Sequence, residues 1–306
     1  MVCSCISLIL TSYLLLLIYL KMQTILITGS HGQLGNEMQQ AAVRFPAFKF
    51  IYTDVEDLDI CDKTALDAFV KANYVNVIVN CAAYTAVDKA EDDVELCYKI
   101  NAEAVRNIGE VATANGVKVV HVSTDYVFDG TNYMPYIEDE PVCPATIYGK
   151  SKLVGEEALL ETCHQSVILR TAWLYSSFGN NFVKTMMKLG TERDSLNVIF
   201  DQIGSPTYAA DLADAILNIL SFETFVPGIY HFSDEGVCSW YDFTKTIHRI
   251  AGISCDVRPI ETKDYPARTP RPHYSVLNKA KIKATYGITI PHWEESLEHC
   301  IALLKA

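Results

Sequence analysis

Residues 24–35 read TILITGSHGQLG. The first five positions form a short apolar run, the pattern of a strand buried on both faces. Gly29, Gly32 and Gly35 follow at Gly-x-x-Gly-x-x-Gly spacing, and with Gln33 and Leu34 an amphipathic helical stretch begins. Glycines without side chains permit a tight turn and close packing, and a helix amino terminus offers free N–H groups and positive potential to a pyrophosphate. Such a glycine string is a weak signal by itself. Placed between the first strand and the first helix of a chain, it points to a dinucleotide.

Outward from this unit, apolar runs alternate with amphipathic stretches. FKFIYTD (48–54), VNVIVNCAA (75–83), KVVHVSTD (118–125) and SVILRTAW (166–173) are strand-like, and helical stretches separate them, one of them a long helix from Glu91 towards Asn115 and another around Tyr148 to Cys163. This predicts an α/β fold: a doubly wound parallel sheet, Rossmann-type. After Trp173 the rhythm loosens. NFVKTMMKLG (181–190) and ADLADAILNIL (210–220) read as helices, GIYHFSD (228–234) as a last strand, and the tail carries a helix, the Pro- and Arg-rich KDYPARTPRPHYSVLN (263–278) and a closing helix. The expected division is a hydrophobic extension over 1–21, an NAD(P)-binding domain over 22–172, and a smaller, discontinuous substrate-binding part over 173–306, with 197–235 partly returning to the sheet.

Composition narrows the function. The chain has 306 residues, 50% hydrophobic, with a formal net charge of −12 and no basic stripe, which argues against nucleic acid as a partner. Ten cysteines are scattered without a Cys-x-x-Cys, so neither a zinc site nor a disulfide framework is indicated, and reduced thiols in a cytoplasm are the expectation. Val2–Leu20 are uncharged and rich in Leu and Ile, near the length that spans a bilayer. No positive n-region precedes this run; the first cation, Lys21, follows it. The first reading is a mis-set start with Met22 the true beginning, the second a membrane anchor, the last a secretory signal.

The candidate site is assembled at the strand ends. Asp54 closes the second strand, 25 positions after Gly29, where a carboxylate would hydrogen-bond an adenosine ribose; capping a turn is the alternative. A carboxylate there favours NAD, while Arg44 or Lys49 could approach a 2′-phosphate, so the residues leave the cofactor open. Asp59 and Ile60 could flank an adenine, and Cys81, Ala82 and Ala83 would let the cofactor lie against the backbone. Ser123-Thr124-Asp125 ends the fourth strand. Tyr148 and Lys152, four apart, are neighbours on the next helix. A phenol titrating near 10 needs a shift of roughly 3 units, about 4 kcal/mol, to act near neutrality. Burial works against that. One ammonium at about 4 Å supplies about 4 kcal/mol at an effective dielectric near 20, the right size. A second Tyr-x-x-x-Lys pair, Tyr241 with Lys245, has no glycine loop or Ser/Thr strand end feeding it and is read as structural.

This constellation resembles the extended short-chain dehydrogenase/reductase family, with its glycine loop and Ser/Thr-Tyr-Lys triad. TGSHGQLG (28–35), NCAAYTAVDKAE (80–91), STDYVFDG (123–130), YGKSKLVGEE (148–157), RTAWLYSSFGNNFVKTM (170–186), DQIGSPT (201–207) and PRPHYSVLN (270–278), in this order, look like the dTDP-4-dehydrorhamnose reductase branch of it, over essentially all of 22–306. The resemblance implies a dTDP-sugar substrate, NADPH as cofactor with NADH possible, and a homodimer as a possible assembly. It makes Tyr148 the proton donor and Lys152 its partner, with Thr124, Asp125 and Trp173 touching the substrate, though Trp173 also reads as a core aromatic. Gly29, Gly32, Gln33, Leu34, Gly35, Asp54, Asp59, Ile60, Cys81, Ala82 and Ala83 would line the cofactor. Arg268 and Arg271 would meet the sugar nucleotide's pyrophosphate, the alternative being a Pro-rich surface loop. Some relatives hold a divalent metal at a subunit contact. Glu37 fits that pattern, but Ala210 stands where the second acid belongs, so no metal is expected. The implied reaction is reduction of the C4 ketone of dTDP-4-dehydro-6-deoxy-L-mannose to dTDP-L-rhamnose. The alternatives are another nucleotide-sugar epimerase or reductase of the family, or a non-catalytic regulatory subunit.

Overall fold

The computed structural model describes residues 22–306. The apolar run at 1–21, and with it the choice between start, anchor and signal, lies outside the described residues. Among the described residues, no helix is long and apolar enough to cross a membrane.

The first half alternates β1 (Gln23–Thr28), α1 (Gln33–Ala42), β2 (Phe48–Thr53), α2 (Lys63–Ala72), β3 (Val77–Asn80), short helices α3 (Val87–Ala90) and α4 (Val94–Tyr98), α5 (Ala104–Asn115), β4 (Lys118–Thr124), α6 (Ile147–Thr162) and β5 (Ser166–Thr171). The second half holds β6 (Leu174–Tyr175), α7 (Phe182–Glu192), β7 (Ser195–Ile199), β8 (Ile203–Gly204), β9 (Thr207–Tyr208), α8 (Ala209–Ser221), β10 (Gly228–His231), β11 (Cys238–Ser239), α9 (Trp240–Ala251), β12 (Asp256–Ile260), α10 (Ala280–Tyr286) and α11 (Trp293–Lys305).

Six strands make one sheet in the order β10-β5-β4-β3-β1-β2, every pair parallel. Each central strand is apolar on both faces because both are covered. Ile25 and Ile27 pack with Leu34 and Met38 of α1 and Leu212 and Ile216 of α8. Leu26, Ile78, Val119 and Ile168 pack on the other face with Leu66 of α2, Ile108 of α5 and Leu159 of α6. The chain leaves β1 outward to β2 and returns to β3 on β1's other side. The strand order therefore reverses between β1 and β3, the place where such sheets open a ligand crevice.

A third core, with Val183 of α7, Leu196 and Val198 of β7, Phe243 and Ile247 of α9, Val257 of β12 and Leu297 of α11, builds the smaller part. GIYHFSD is not the last strand: β12 follows and pairs in parallel with β7. Its segment hides from sequence reading because only Val257 is buried and Pro259 interrupts it. The expected long helix from Glu91 is also divided. It becomes α4, a π-turn over Lys99–Glu103, and α5. The buried Asn101 at that turn accepts Tyr84 N–H at 2.8 Å and donates to Tyr84 O at 3.0 Å and to Ser151 Oγ at 3.0 Å. These are long-range partners that no local propensity encodes.

Candidate active site

The glycine loop is shaped by contact with the segment that follows β3. Gly29 has φ +64, and a Cβ there would lie 2.7 Å from both Ala82 Cα and Ala82 N, so neither the backbone conformation nor the space admits a side chain. Gly32 begins α1 without a side-chain cap, leaving the helix's first N–H groups to an incoming anion. Both features fit a dinucleotide pyrophosphate. Gln33 Oε1 accepts from Asn181 Nδ2 at 3.0 Å, tying the loop to the start of α7, and Leu34 is buried beneath it.

Asp54 is half-buried at the end of β2, and its carboxylate accepts His31 N–H at 2.8 Å and Val55 N–H at 2.9 Å. It therefore tethers the glycine loop from the position where a ribose would be met. The exposed Asp59 accepts Cys61 N–H at 2.9 Å. Ile60 packs in the core with Leu58 and Leu66, so its backbone rather than its side chain is what an adenine could meet. Cys81, Ala82 and Ala83 run half-buried from the end of β3. His31, Asp54 and Glu56 also bring ligand atoms within 4.8 Å of one another at this rim, a grouping the sequence did not suggest.

Thr146 caps α6, accepting Gly149 N–H at 3.0 Å, and this presents Tyr148 in the first turn. Gly149 is required because a Cβ would lie 2.3 Å from the Tyr126 carbonyl oxygen. That approach sets the Tyr126 ring edge-on to the Tyr148 ring at 5.5 Å. The Tyr148 phenol is buried beside the Thr124 hydroxyl. Burial raises its pKa above the ordinary value, with the Thr124 hydrogen bond opposing and Asp125 reinforcing. Thr124 Oγ1 donates to Asp125 Oδ1 at 3.0 Å, while Asp125 Oδ2 is buried without a partner. Burial pushes the Asp125 carboxyl up to about 6 against the Thr124 and Ser275 hydroxyls.

Lys152 corrects the sequence-based electrostatics. Its Nζ donates to Val122 O at 2.7 Å and lies 3.3 Å from His121 Nε2, so the amine addresses β4, and the phenol is raised rather than lowered. Burial brings Lys152 itself down to about 8, with Glu156 and Cys97 pulling the other way. Tyr241 and Lys245 lie apart on α9, Tyr241 against the third core and Lys245 exposed.

A cleft of about 790 Å³ opens beside this group, lined among others by Asp125, Tyr126, Trp173, Trp240, Arg268 and Arg271. Tyr148 and Thr124 are not among its lining residues, though Asp125 and Tyr126 are. Trp173 takes φ +50, uncommon for a bulky residue, and its ring stacks on Trp240 at 3.5 Å between centroids. Trp240 went unread in the sequence because it opens an ordinary amphipathic helix. Arg268 pairs with Asp92 and Arg271 with Asp88, at 2.7 Å for the latter. Both guanidiniums thus reach the cleft while engaged by the loop region around α3. Glu37 is buried in the first turns of α1 and accepts from Ser176 Oγ at 2.6 Å; Ala210 neighbours Asp211, which accepts from Ser296 Oγ at 2.6 Å.

Comparison with known proteins fits this geometry. Residues 22–306 match the family described as RmlD substrate binding domain. A dTDP-4-dehydrorhamnose reductase of Aggregatibacter actinomycetemcomitans is 40% identical over 288 residues, 91% of this chain and 98% of that protein. The crystal structure of a dTDP-4-dehydrorhamnose reductase from Clostridium acetobutylicum superposes with a TM-score of 0.89 at 43% identity, covering 93% of this chain and all of that one. That of the Bacillus anthracis dTDP-4-dehydrorhamnose reductase, solved in complex with NADP, gives 0.88 at 39% identity, covering 92% and 99%. The chain belongs to the RmlD substrate binding domain family, that of the dTDP-4-dehydrorhamnose reductases, within the extended short-chain dehydrogenase/reductases.

Proposed function

We propose that this protein is an oxidoreductase that reduces the C4 ketone of dTDP-4-dehydro-6-deoxy-L-mannose to dTDP-L-rhamnose with NADPH. The observation that carries the reading is the buried Tyr148 phenol beside Thr124, whose neighbours in the chain, Asp125 and Tyr126, line a cleft that also holds two arginines, in a fold whose first strand ends in a glycine loop that fits a dinucleotide.

A nicotinamide cofactor, which the glycine loop at Gly29, Gly32 and Gly35 would hold, would supply the hydride for the ketone carbon. The carbonyl electron pair then needs a proton, and Tyr148 gives it. A phenol kept above its ordinary pKa by burial is fully protonated at neutral pH, which suits a donor. Thr124 turns its hydroxyl proton from Asp125 to the carbonyl oxygen, and Asp125, so freed, accepts from a sugar hydroxyl. Lys152, one turn after Tyr148, would hold the cofactor ribose. Arg268 and Arg271 exchange Asp92 and Asp88 for the pyrophosphate, since bidentate guanidinium contacts suit that anion. Trp173 and Trp240 wall the sugar side.

The decisive test is to offer the purified protein dTDP-4-keto-6-deoxy sugars with NADPH, follow loss of nicotinamide absorbance and identify the product. Stoichiometric oxidation with dTDP-L-rhamnose formed is the expected result; product formed without net oxidation marks an epimerase, and no turnover a non-catalytic subunit.

A further inference from the structure

His121 is fully buried on β4, and nothing in the reaction above uses it. Its surroundings fix which ring nitrogen carries the proton. Asn80 Oδ1 accepts Thr28 Oγ1–H at 2.6 Å and Ala82 N–H at 3.2 Å. A backbone N–H can only donate, so the carboxamide has one orientation, and its Nδ2 faces His121 Nδ1 at 3.0 Å. An amide nitrogen also only donates, so Nδ1 accepts. Burial and the nearby Lys152 charge both keep the imidazole neutral. Its single proton therefore sits on Nε2, which faces Lys152 Nζ at 3.3 Å.

Against a charged ammonium this contact sets donor to donor. Against a neutral amine it is a hydrogen bond, with the Nζ lone pair accepting from Nε2–H while one amine hydrogen still goes to Val122 O. We propose that His121, locked by the Thr28–Asn80 pair, is a positioning residue that disfavours the proton on Lys152 and so sets the upper pH limit at which Lys152 is charged for the reaction. The other titratable groups acting on Lys152 are Glu156 on its own helix and Cys97 on α4, with Tyr148 one turn earlier on that helix. Glu156 favours the charge, but its carboxylate is shared with Arg170 of β5, from Nη2 at 2.7 Å and Nε at 3.0 Å. Burial lowers the Lys152 pKa as well, independently of this contact.

The proposal's kinetic consequence rests on the proposed reductase activity, whereas its structural core can be read without substrate. Histidine-selective ¹⁵N labelling should show His121 with bare Nδ1 and protonated Nε2, and lysine ¹³Cε labelling should follow the Lys152 titration. Asn80→Asp keeps an acceptor for Thr28 and Ala82 but accepts from Nδ1–H. It should invert the tautomer, offer the Nε2 lone pair to Lys152, and raise the Lys152 midpoint by about one pH unit, tenfold in proton affinity. The alkaline limb of kcat/KM should move with it. In a His121→Phe background the same substitution should produce no such shift. A protonated Nδ1 in the unsubstituted protein overturns the proposal. So does an Asn80→Asp shift of equal size without the imidazole, which would be charge acting through space. If His121→Phe does not fold, the tautomers of the parent and Asn80→Asp proteins still decide. If no dTDP-sugar is turned over, the proposed function fails and the two NMR readouts stand by themselves.

Discussion

Replacing Asp125 with Asn should stabilise the fold while damaging activity. The carboxyl is almost wholly buried, Oδ2 has no partner, and burial moves its pKa from 3.8 to about 6. That rise of about 2 units corresponds to about 3 kcal/mol of cost once the group must ionise, an upper figure for what a neutral isostere recovers. Asn keeps the acceptor for the Thr124 and Ser275 hydroxyls but places an unpartnered amide N–H where Oδ2 was, which takes back part of the gain. The net expectation is about 1–2 kcal/mol more stability at pH 7. The sign follows from linkage. The folded pKa is raised, so the native state binds this proton more tightly; the associated stability is fully present below about 3.8 and is lost as pH rises through about 6. Urea unfolding of parent and variant from pH 4 to 8 should show the variant about 1 kcal/mol less stable than the parent at pH 4, with the difference moving in its favour as pH rises and levelling off above pH 6. In the same variant kcat/KM should fall, because a carboxylate acceptor for a sugar hydroxyl has become an amide. An advantage independent of pH, or a loss of stability at pH 7, would refute the claim that Asp125 is held against its preferred charge.

Further outcomes can be checked separately. Tyr148→Phe should lower turnover by about 10²–10⁴-fold with cofactor binding retained, whereas Tyr241→Phe, whose side chain does not line the cleft, should leave turnover near normal in steady-state assays. Arg170 and Glu156 form a buried bidentate pair linking β5 to α6. Arg170→Leu should cost about 3–5 kcal/mol in chemical denaturation because it strands a buried carboxylate. Asp88→Asn should release Arg271 and lower the KM for the dTDP-sugar by up to about fivefold, since exposed ion pairs are worth roughly 0–1 kcal/mol; a raised KM with normal kcat would argue against Arg271 at the pyrophosphate site. Asp54→Ala should weaken both nicotinamide cofactors by loosening His31 and should shift the ratio of catalytic efficiencies towards NADPH, measured by paired titrations.

The parallel sheet was legible because its strands are apolar on both faces and its helices amphipathic, both of them local patterns. The glycine turn could be read from its place after β1, and the proposal of Tyr148 over Tyr241 rests on the elements that precede it. Tertiary structure decided what depends on partners distant in sequence. Asn101 breaks the helix after Glu91 because Tyr84 and Ser151 meet it. Trp240 becomes a cleft wall because Trp173 stacks on it. Arg268 and Arg271 are committed to Asp92 and Asp88, some 180 positions earlier, which no spacing rule connects. The direction of Lys152 is the sharpest case. Its place one turn after Tyr148 is written in the sequence, but a lysine stem is long enough to choose among neighbours, and the choice of Val122 and His121 over the phenol is made by β4, which only the folded chain brings beneath it.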